Sequence, residues 1–292
     1  MPAWIKLTIT ALFWASAFFA AKWAVEIAPP VTTAFLRFAI AGFVLLGLAA
    51  SQKQITLPRK AYLGTAGMAV IGIFLYNIFF FEGLSRTSAV NGSLIASANP
   101  AITALLSRAF RGERTSIRQW CGILVSFLGV VLVISGGSLR ALIHLDVNPG
   151  DLFILGSATC WAVYSILARG VLAEASSIVT SAFTCITGAI LLSPLAFFES
   201  SAAWQGSLLF WLAVLYMAVF SSVVAYLWWN DGVREIGPAR SAIFVNLVPV
   251  FVMVLSVMSG RFPGAAQILG GGFVLAGVYL TAGPAGRLSK SG

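Results

Sequence analysis

Residues 10–22 read TALFWASAFFAAK, and residues 157–169 read SATCWAVYSILAR. Both stretches carry Trp-Ala, at 14–15 and at 161–162, and both end on a cation, Lys22 or Arg169, 147 positions apart. The correspondence extends outward from there. Thr33-Ala34-Phe35 matches Ser181-Ala182-Phe183, Glu82-Gly83 matches Asp231-Gly232, and Pro100 matches Pro249. Gln119, Gly122, Gly129 and Val130 match Gln267, Gly270, Gly277 and Val278. The chain therefore reads as one unit written twice, 1–136 and 150–292. An outer linker at 137–149 joins the copies and holds the one histidine, His144.

Composition places both copies in a membrane. Of 292 residues 59% are apolar and 9% charged, with a mean hydropathy of +0.95. A soluble domain carries about 25% charged residues. An apolar run of about 20 residues crosses the hydrocarbon as a helix. Ten such runs are legible, at 5–25, 31–50, 62–84, 88–108, 118–135, 150–169, 175–198, 207–229, 238–258 and 265–283. The expected fold is an all-α polytopic membrane protein of ten helices. Five spans per copy is an odd number, so the second copy is inverted relative to the first. Inverted repeats place a binding site near the bilayer midplane and let two halves rock around it.

The net charge of +9 belongs to topology rather than to nucleic acid. With the N-terminus inside, only Lys22, Arg37, Arg86, Arg140 and Arg261 of the 18 basic residues fall on the outer side. That is the asymmetry of the positive-inside rule. Seven of the nine tryptophans fall near expected membrane surfaces, leaving Trp14 and Trp161 at mid-depth. Met1–Ala21 has a basic start like a signal peptide, but its removal would reverse the charge asymmetry, so it reads as the first span. Cys121, Cys160 and Cys185 lie within spans and show no metal-ligand or disulfide spacing. No metal ion or other cofactor is expected.

Several motifs carry a family resemblance. They are Trp14-Ala15-Ser16-Ala17-Phe18, Phe35-Leu36-Arg37-Phe38, Asn99-Pro100-Ala101, Gly112-Glu113-Arg114 and Gln119-Trp120-Cys121-Gly122. In this order, and partly duplicated, they resemble the bacterial drug/metabolite transporter superfamily, of the ten-helix EamA type. The resemblance covers nearly the whole chain. The second copy departs from it: Ser259-Gly260-Arg261 stands where Gly-Glu-Arg is expected, and Cys185 stands opposite Arg37. The resemblance implies a multi-pass protein of the bacterial inner (plasma) membrane, both termini cytoplasmic, exporting amino acids, other small metabolites or drugs. Within the superfamily the chain is most similar to exporters of aromatic amino acids.

Candidate functional residues follow from depth and repetition. Pro100 and Pro249 fall near the middle of spans four and nine, where proline removes a helical hydrogen bond. They are either tolerated kinks or paired hinges. Ser97, Asn99 and Asn246 beside them satisfy freed backbone groups or bind substrate. Trp14 and Trp161 either pack helices together or wall a central cavity. Tyr76 and Phe80, with Phe79 and Gly83 at helical spacing, and Tyr164, one turn from Trp161, line that cavity or face core and lipid. Arg37 lies about 10 Å deep in span two at 1.5 Å per residue. A charge at that depth marks a functional site by default. It binds a substrate carboxylate, snorkels outward, or pairs with Glu82. Lys22 with Glu82, and Arg169 with Asp231, are repeat-related opposite charges, either rim salt bridges that act as gates or solvated helix ends.

Absences bound the mechanism. No Asp, Glu or His falls near the middle of a span, where proton-coupled carriers place one. Uniport is therefore expected over proton coupling. No phosphate-binding glycine loop supports ATP drive, and no nucleophile, base or acid pair supports an enzyme. The expected partners are a small-molecule substrate and the lipid bilayer, not nucleic acid; a monomer suffices for the fold, and the oligomeric state is open. The expected function is export of small amphipathic metabolites, foremost aromatic or hydrophobic amino acids, by alternating access. The alternative is a broad-specificity metabolite or drug exporter, or a threonine/homoserine exporter with proton coupling. A channel and a non-transporting scaffold share the same composition.

Overall fold

The computed structural model describes residues 1–53, 55–111, 116–138, 147–199, 206–236, 241 and 244–282. The motif at 112–114, His144 and most of the 137–149 linker lie outside the described residues. Among those described there is no strand. Ten helical spans follow one another: α1 Ala3–Ala24, α2 Pro30–Ser51, α3 Arg59–Arg86, α4 in two pieces Ala89–Ala96 and Asn99–Arg111, α5 Ile117–Ile134, α6 Pro149–Glu174, α7 Ser177–Glu199, α8 Leu208–Ile236, α9 Leu247–Met258 and α10 Ala265–Ala282. Eight of them are long and apolar enough to cross a membrane, and α9 and the apolar part of α10 are shorter.

The helix starts are written in the sequence. Pro30 and Pro149 occupy the first turns of α2 and α6, where the missing N–H costs nothing. Ser88, Asn148 and Ser207 accept hydrogen bonds from Asn91, Gly150 and Phe210 backbone N–H groups and so cap α4, α6 and α8. The repeated glutamine has the same use in both copies. Gln119 Oε1 accepts from the Ser116 N–H at 2.8 Å, and Gln267 Oε1 accepts from the Gly264 N–H at 2.8 Å. Each returns a side chain to the start of its own helix, as in a capping box.

Helices α5 and α10 meet along the repeated glycines. A Cβ on Gly129 would sit 2.6 Å from the Gly270 carbonyl oxygen, and one on Gly270 would sit 2.8 Å from that of Gly129. Small residues let membrane helices approach this closely, and dispersion then replaces the hydrophobic effect as the attraction. Helix α2 packs on α7, with Gly42 against Ile186. Helix α3 packs on α6, with Gly83 against Gly150, and α1 packs on α8, with Leu7 against Gly232. Each helix of the first half thus meets a helix of the second.

Two irregularities were not legible in the sequence. Ala69–Leu75 within α3 and Met217–Val224 within α8 are π-helical. They occupy matching places in the two copies. Such segments insert extra backbone into a helix and turn carbonyls away from the ladder, and they cluster at functional sites. The second irregularity corrects an expectation about the prolines. Pro100 is the second residue of Asn99–Arg111, after a turn at Ser97-Ala98, and Pro249 is the third residue of α9, after a turn at Asn246. Neither kinks a continuous helix. Each sits in the first turn after a break, where no backbone bond is lost.

Candidate functional site

A cavity of about 60 Å³ lies among α1, α2, α3, α4, α6, α8 and α9. Of the residues singled out by sequence, Trp14, Arg37, Tyr76, Phe80, Ser97, Asn99 and Trp161 line it. The two tryptophans meet edge to face, with ring centroids 5.4 Å apart, an arrangement that the ring quadrupoles favour. Tyr76 stacks on Phe80 at 5.7 Å and touches Trp161 at 5.5 Å. These rings form one continuous aromatic wall.

Arg37 is the charged member of the lining. It is 5% exposed. Its Nε donates to Ser222 Oγ at 2.8 Å and its Nη2 to the Ser221 carbonyl at 3.4 Å. Its guanidinium also lies 4.9 Å from the Phe38 ring centre. Among the described residues no carboxylate comes within ion-pair distance of it. The Ser221 carbonyl belongs to the π-helical segment of α8 and also accepts from Trp14 Nε1 at 3.2 Å. The irregular backbone therefore supplies the acceptor that holds both the cation and one tryptophan in place. A buried charge without a counter-ion is expensive, and these neutral partners leave most of its five donors for something else.

Asn99 Nδ2 donates to the Ala158 carbonyl at 2.8 Å, which ties the break in α4 to α6. Ser97 Oγ donates to its own Leu94 carbonyl at 2.6 Å. Two candidates stand away from the cavity. Tyr164 stacks behind Trp161 at 4.7 Å, fills the notch left by Gly72 of the π-helical segment in α3, and reaches Asn230 with its hydroxyl. Asn246 lies between the lining residues Val245 and Val248 without lining the cavity itself, and its buried Oδ1 has no partner.

Of the two alternatives for the rim charges, the repeat-related salt bridges Lys22–Glu82 and Arg169–Asp231 do not form. Glu82 pairs with Arg86, one turn along the same helix, at 2.8 Å, and Lys22 donates instead to the Ser85 carbonyl at 3.2 Å. A local pair orders one helix where a Lys22–Glu82 bridge would order two. Asp231 pairs with Lys6 at 2.8 Å, and Glu235 lies 3.6 Å from the same ammonium. Helix α8 runs to Ile236, which carries Asp231 to the level of the first turns of α1. Arg169 is exposed and forms no ion pair among the described residues. The same length of α8 corrects the place of Trp229, expected at a membrane surface. It is 1% exposed and packs on Trp14 at 5.3 Å and on Trp161 at 5.8 Å.

Sequence reasoning missed Phe18, Ser93, Ser157 and Tyr226, all in the lining. Ser157 precedes Trp161 by one helical turn, and Tyr226 lies one turn from the buried Ser222, so periodicity on a known cavity helix was the available signal. It also missed Asp151, buried in the first turn of α6 and accepting a hydrogen bond from Thr87 Oγ1. An acid at that position interacts well with the helix dipole.

A bundle of membrane-crossing helices around an aromatic, mainly apolar cavity with a few polar groups is the architecture of a small-molecule membrane transporter. The chain belongs to the EamA-like transporter family, whose profile matches it twice, at residues 2–135 and 148–283. It is 36% identical to the uncharacterized transporter YyaM of Bacillus subtilis, over 96% of this chain and 93% of that one. It is 25% identical to the uncharacterized inner membrane transporter YedA of Escherichia coli K12, over 89% and 83% of the two chains. A protein of solved crystal structure superimposes with a TM-score of 0.70 over 94% of each chain, at 24% identity, a likeness of fold alone. The protein is a multi-pass membrane transporter of this family.

Proposed function

We propose that the protein exports zwitterionic metabolites with an apolar side chain, foremost aromatic amino acids, by alternating access between two inverted five-helix repeats, 1–136 and 150–292. The observation that carries the substrate class is Arg37. It is a buried cation without an acidic partner among the described residues, in a cavity otherwise walled by Trp14, Trp161, Tyr76 and Phe80. A carboxylate satisfies the guanidinium bidentately, and the rings take the side chain. A nucleotide sugar fits poorly, because its diphosphate wants more than one buried cation.

The repeat reading draws support from the double family match and from the cross-pairing of the halves, α1 with α8 and α3 with α6. The alternating-access reading draws support from size. A cavity of about 60 Å³ holds a few waters, whereas ligand pockets span about 300–1,000 Å³. The walls must part before an aromatic amino acid fits. The paired breaks before Pro100 and Pro249 are the natural hinges. We place the protein in the bacterial inner membrane with both termini cytoplasmic, from the charge asymmetry and from its likeness to an inner membrane transporter. Transport is uniport, because the residues around the cavity include no carboxylate.

The test is counterflow in liposomes with labelled tryptophan, phenylalanine and threonine, with and without a pH gradient. Selective exchange of the aromatic pair without a gradient is expected. Exchange of threonine alone, or of none, removes the substrate assignment. Exchange only under a pH gradient removes uniport.

A further inference from the structure

Among the buried side-chain atoms that have no hydrogen-bond partner, three lie where α8 and α9 pack on α1: Thr10 Oγ1, Trp229 Nε1 and Asn246 Oδ1. Thr10 stands on the face of α1 shared with Leu7 and Trp14. Leu7 packs on Gly232 and Trp14 on Trp229, so Thr10 lies at the seam between α1 and α8. Asn246 sits in the break before α9, which also packs on α1. Buried polar groups are almost always paired, so an orphan calls for a reason.

The repeat supplies one. Ser157 follows Thr10 by 147 positions, the interval from Trp14 to Trp161. Trp229 follows Phe80, and Asn246 follows Ser97, by 149, the interval from Pro100 to Pro249. Ser157, Phe80 and Ser97 all line the cavity. Their counterparts are these three of the orphans, packed shut.

We propose that Thr10, Trp229 and Asn246 form a second, inward-opening site that takes the head group of the substrate before it reaches Arg37. This rests on the alternating-access reading above. When α8 and α9 part from α1, the mirror image of the present cavity opens beneath the tryptophans. Thr10 Oγ1 and Asn246 Oδ1 accept from an ammonium or amide group, and Trp229 Nε1 donates to a carboxylate. The site contains no cation, since Cys185 stands where Arg37 would be. It therefore suits a neutral or zwitterionic ligand and rejects a plain anion. Handover then runs from a site of neutral groups to one with a fixed positive charge.

The test places single thiols at Thr10, Asn246 and Ser157 in a background without Cys121, Cys160 and Cys185 that retains counterflow. A membrane-impermeant thiol reagent is added to one face or the other of oriented vesicles. Thr10→Cys and Asn246→Cys are expected to react from the cytoplasmic face, and Ser157→Cys from the opposite face. In addition, Trp229→Phe is expected to raise the half-saturating tryptophan concentration about fivefold, the value of one hydrogen bond. If Ser157→Cys reacts from outside while both inner thiols stay inert in transport-competent protein, the inner site is overturned and the transporter reading survives. If every thiol reacts from both faces, the path is a channel and both readings fall. Using two inner positions keeps one misfolded variant from deciding the outcome.

Discussion

Arg37 Nε donates to Ser222 Oγ at 2.8 Å, deep within the bundle and out of ion-pair range of any described carboxylate. The cation is thus held in place without being neutralised. Its substitution by Gln is expected to weaken binding of carboxylate-bearing substrates by about 10- to 100-fold, since a hydrogen bond to a charge contributes about 1.5–3 kcal/mol. Arg37→Lys keeps the charge but loses the bidentate fork and is expected to recover only part. Half-saturation in counterflow, with tryptophan and with its amide side by side, measures this; equal losses for both ligands would exclude a carboxylate contact.

Trp14 shares the Ser221 carbonyl with Arg37. Trp14→Phe removes the N–H while keeping most of the ring. It is expected to cost about 1 kcal/mol, or several-fold in apparent affinity. Trp14→Ala also removes a face of the cavity wall and is expected to cost clearly more. Tyr164→Phe, behind that wall, is expected to leave transport unchanged. Measuring all three in one assay separates wall from support.

The glycine contact between α5 and α10 leads to a stability prediction. Gly129→Ala places a methyl group 2.6 Å from the Gly270 carbonyl oxygen and is expected to destabilise by about 1–3 kcal/mol, as overpacking does. Gly272→Ala, on the same helix pair with nothing within 4 Å, is expected to be neutral or mildly stabilising. Thermal unfolding in detergent compares them.

The seam between α1 and α8 is tied by Lys6 and Asp231, both partly buried. Lys6→Gln or Asp231→Asn is expected to lose about 1 kcal/mol or less, since partial exposure screens the pair. Exchanging the two charges is expected to restore most of it. Exchanging Lys22 with Glu82 is expected to restore nothing, because Glu82 is bound to Arg86. Double-mutant cycles on unfolding temperature read both cases.

Much of this molecule is legible in its sequence because membrane and repetition impose simple rules. Apolar run length defines the spans, basic residues mark the expected inner side, depth singles out Arg37, and repetition singles out Trp14, Trp161 and the glycines that join α5 to α10. Those signals depend only on local composition and spacing. The tertiary structure decided what depends on partners. The π-helical segments have no local signature, yet one of them aims the Ser221 carbonyl at Trp14 and Arg37. The length of α8 moved Trp229 from the expected surface to the centre and gave Asp231 to Lys6. The breaks before Pro100 and Pro249 turned expected kinks into helix starts. Tyr76 and Phe80 came to the cavity while Tyr164 went behind it, a choice set by whether Gly72 or open space faced the ring. Depth in a membrane is a property of one helix. Facing is a property of two.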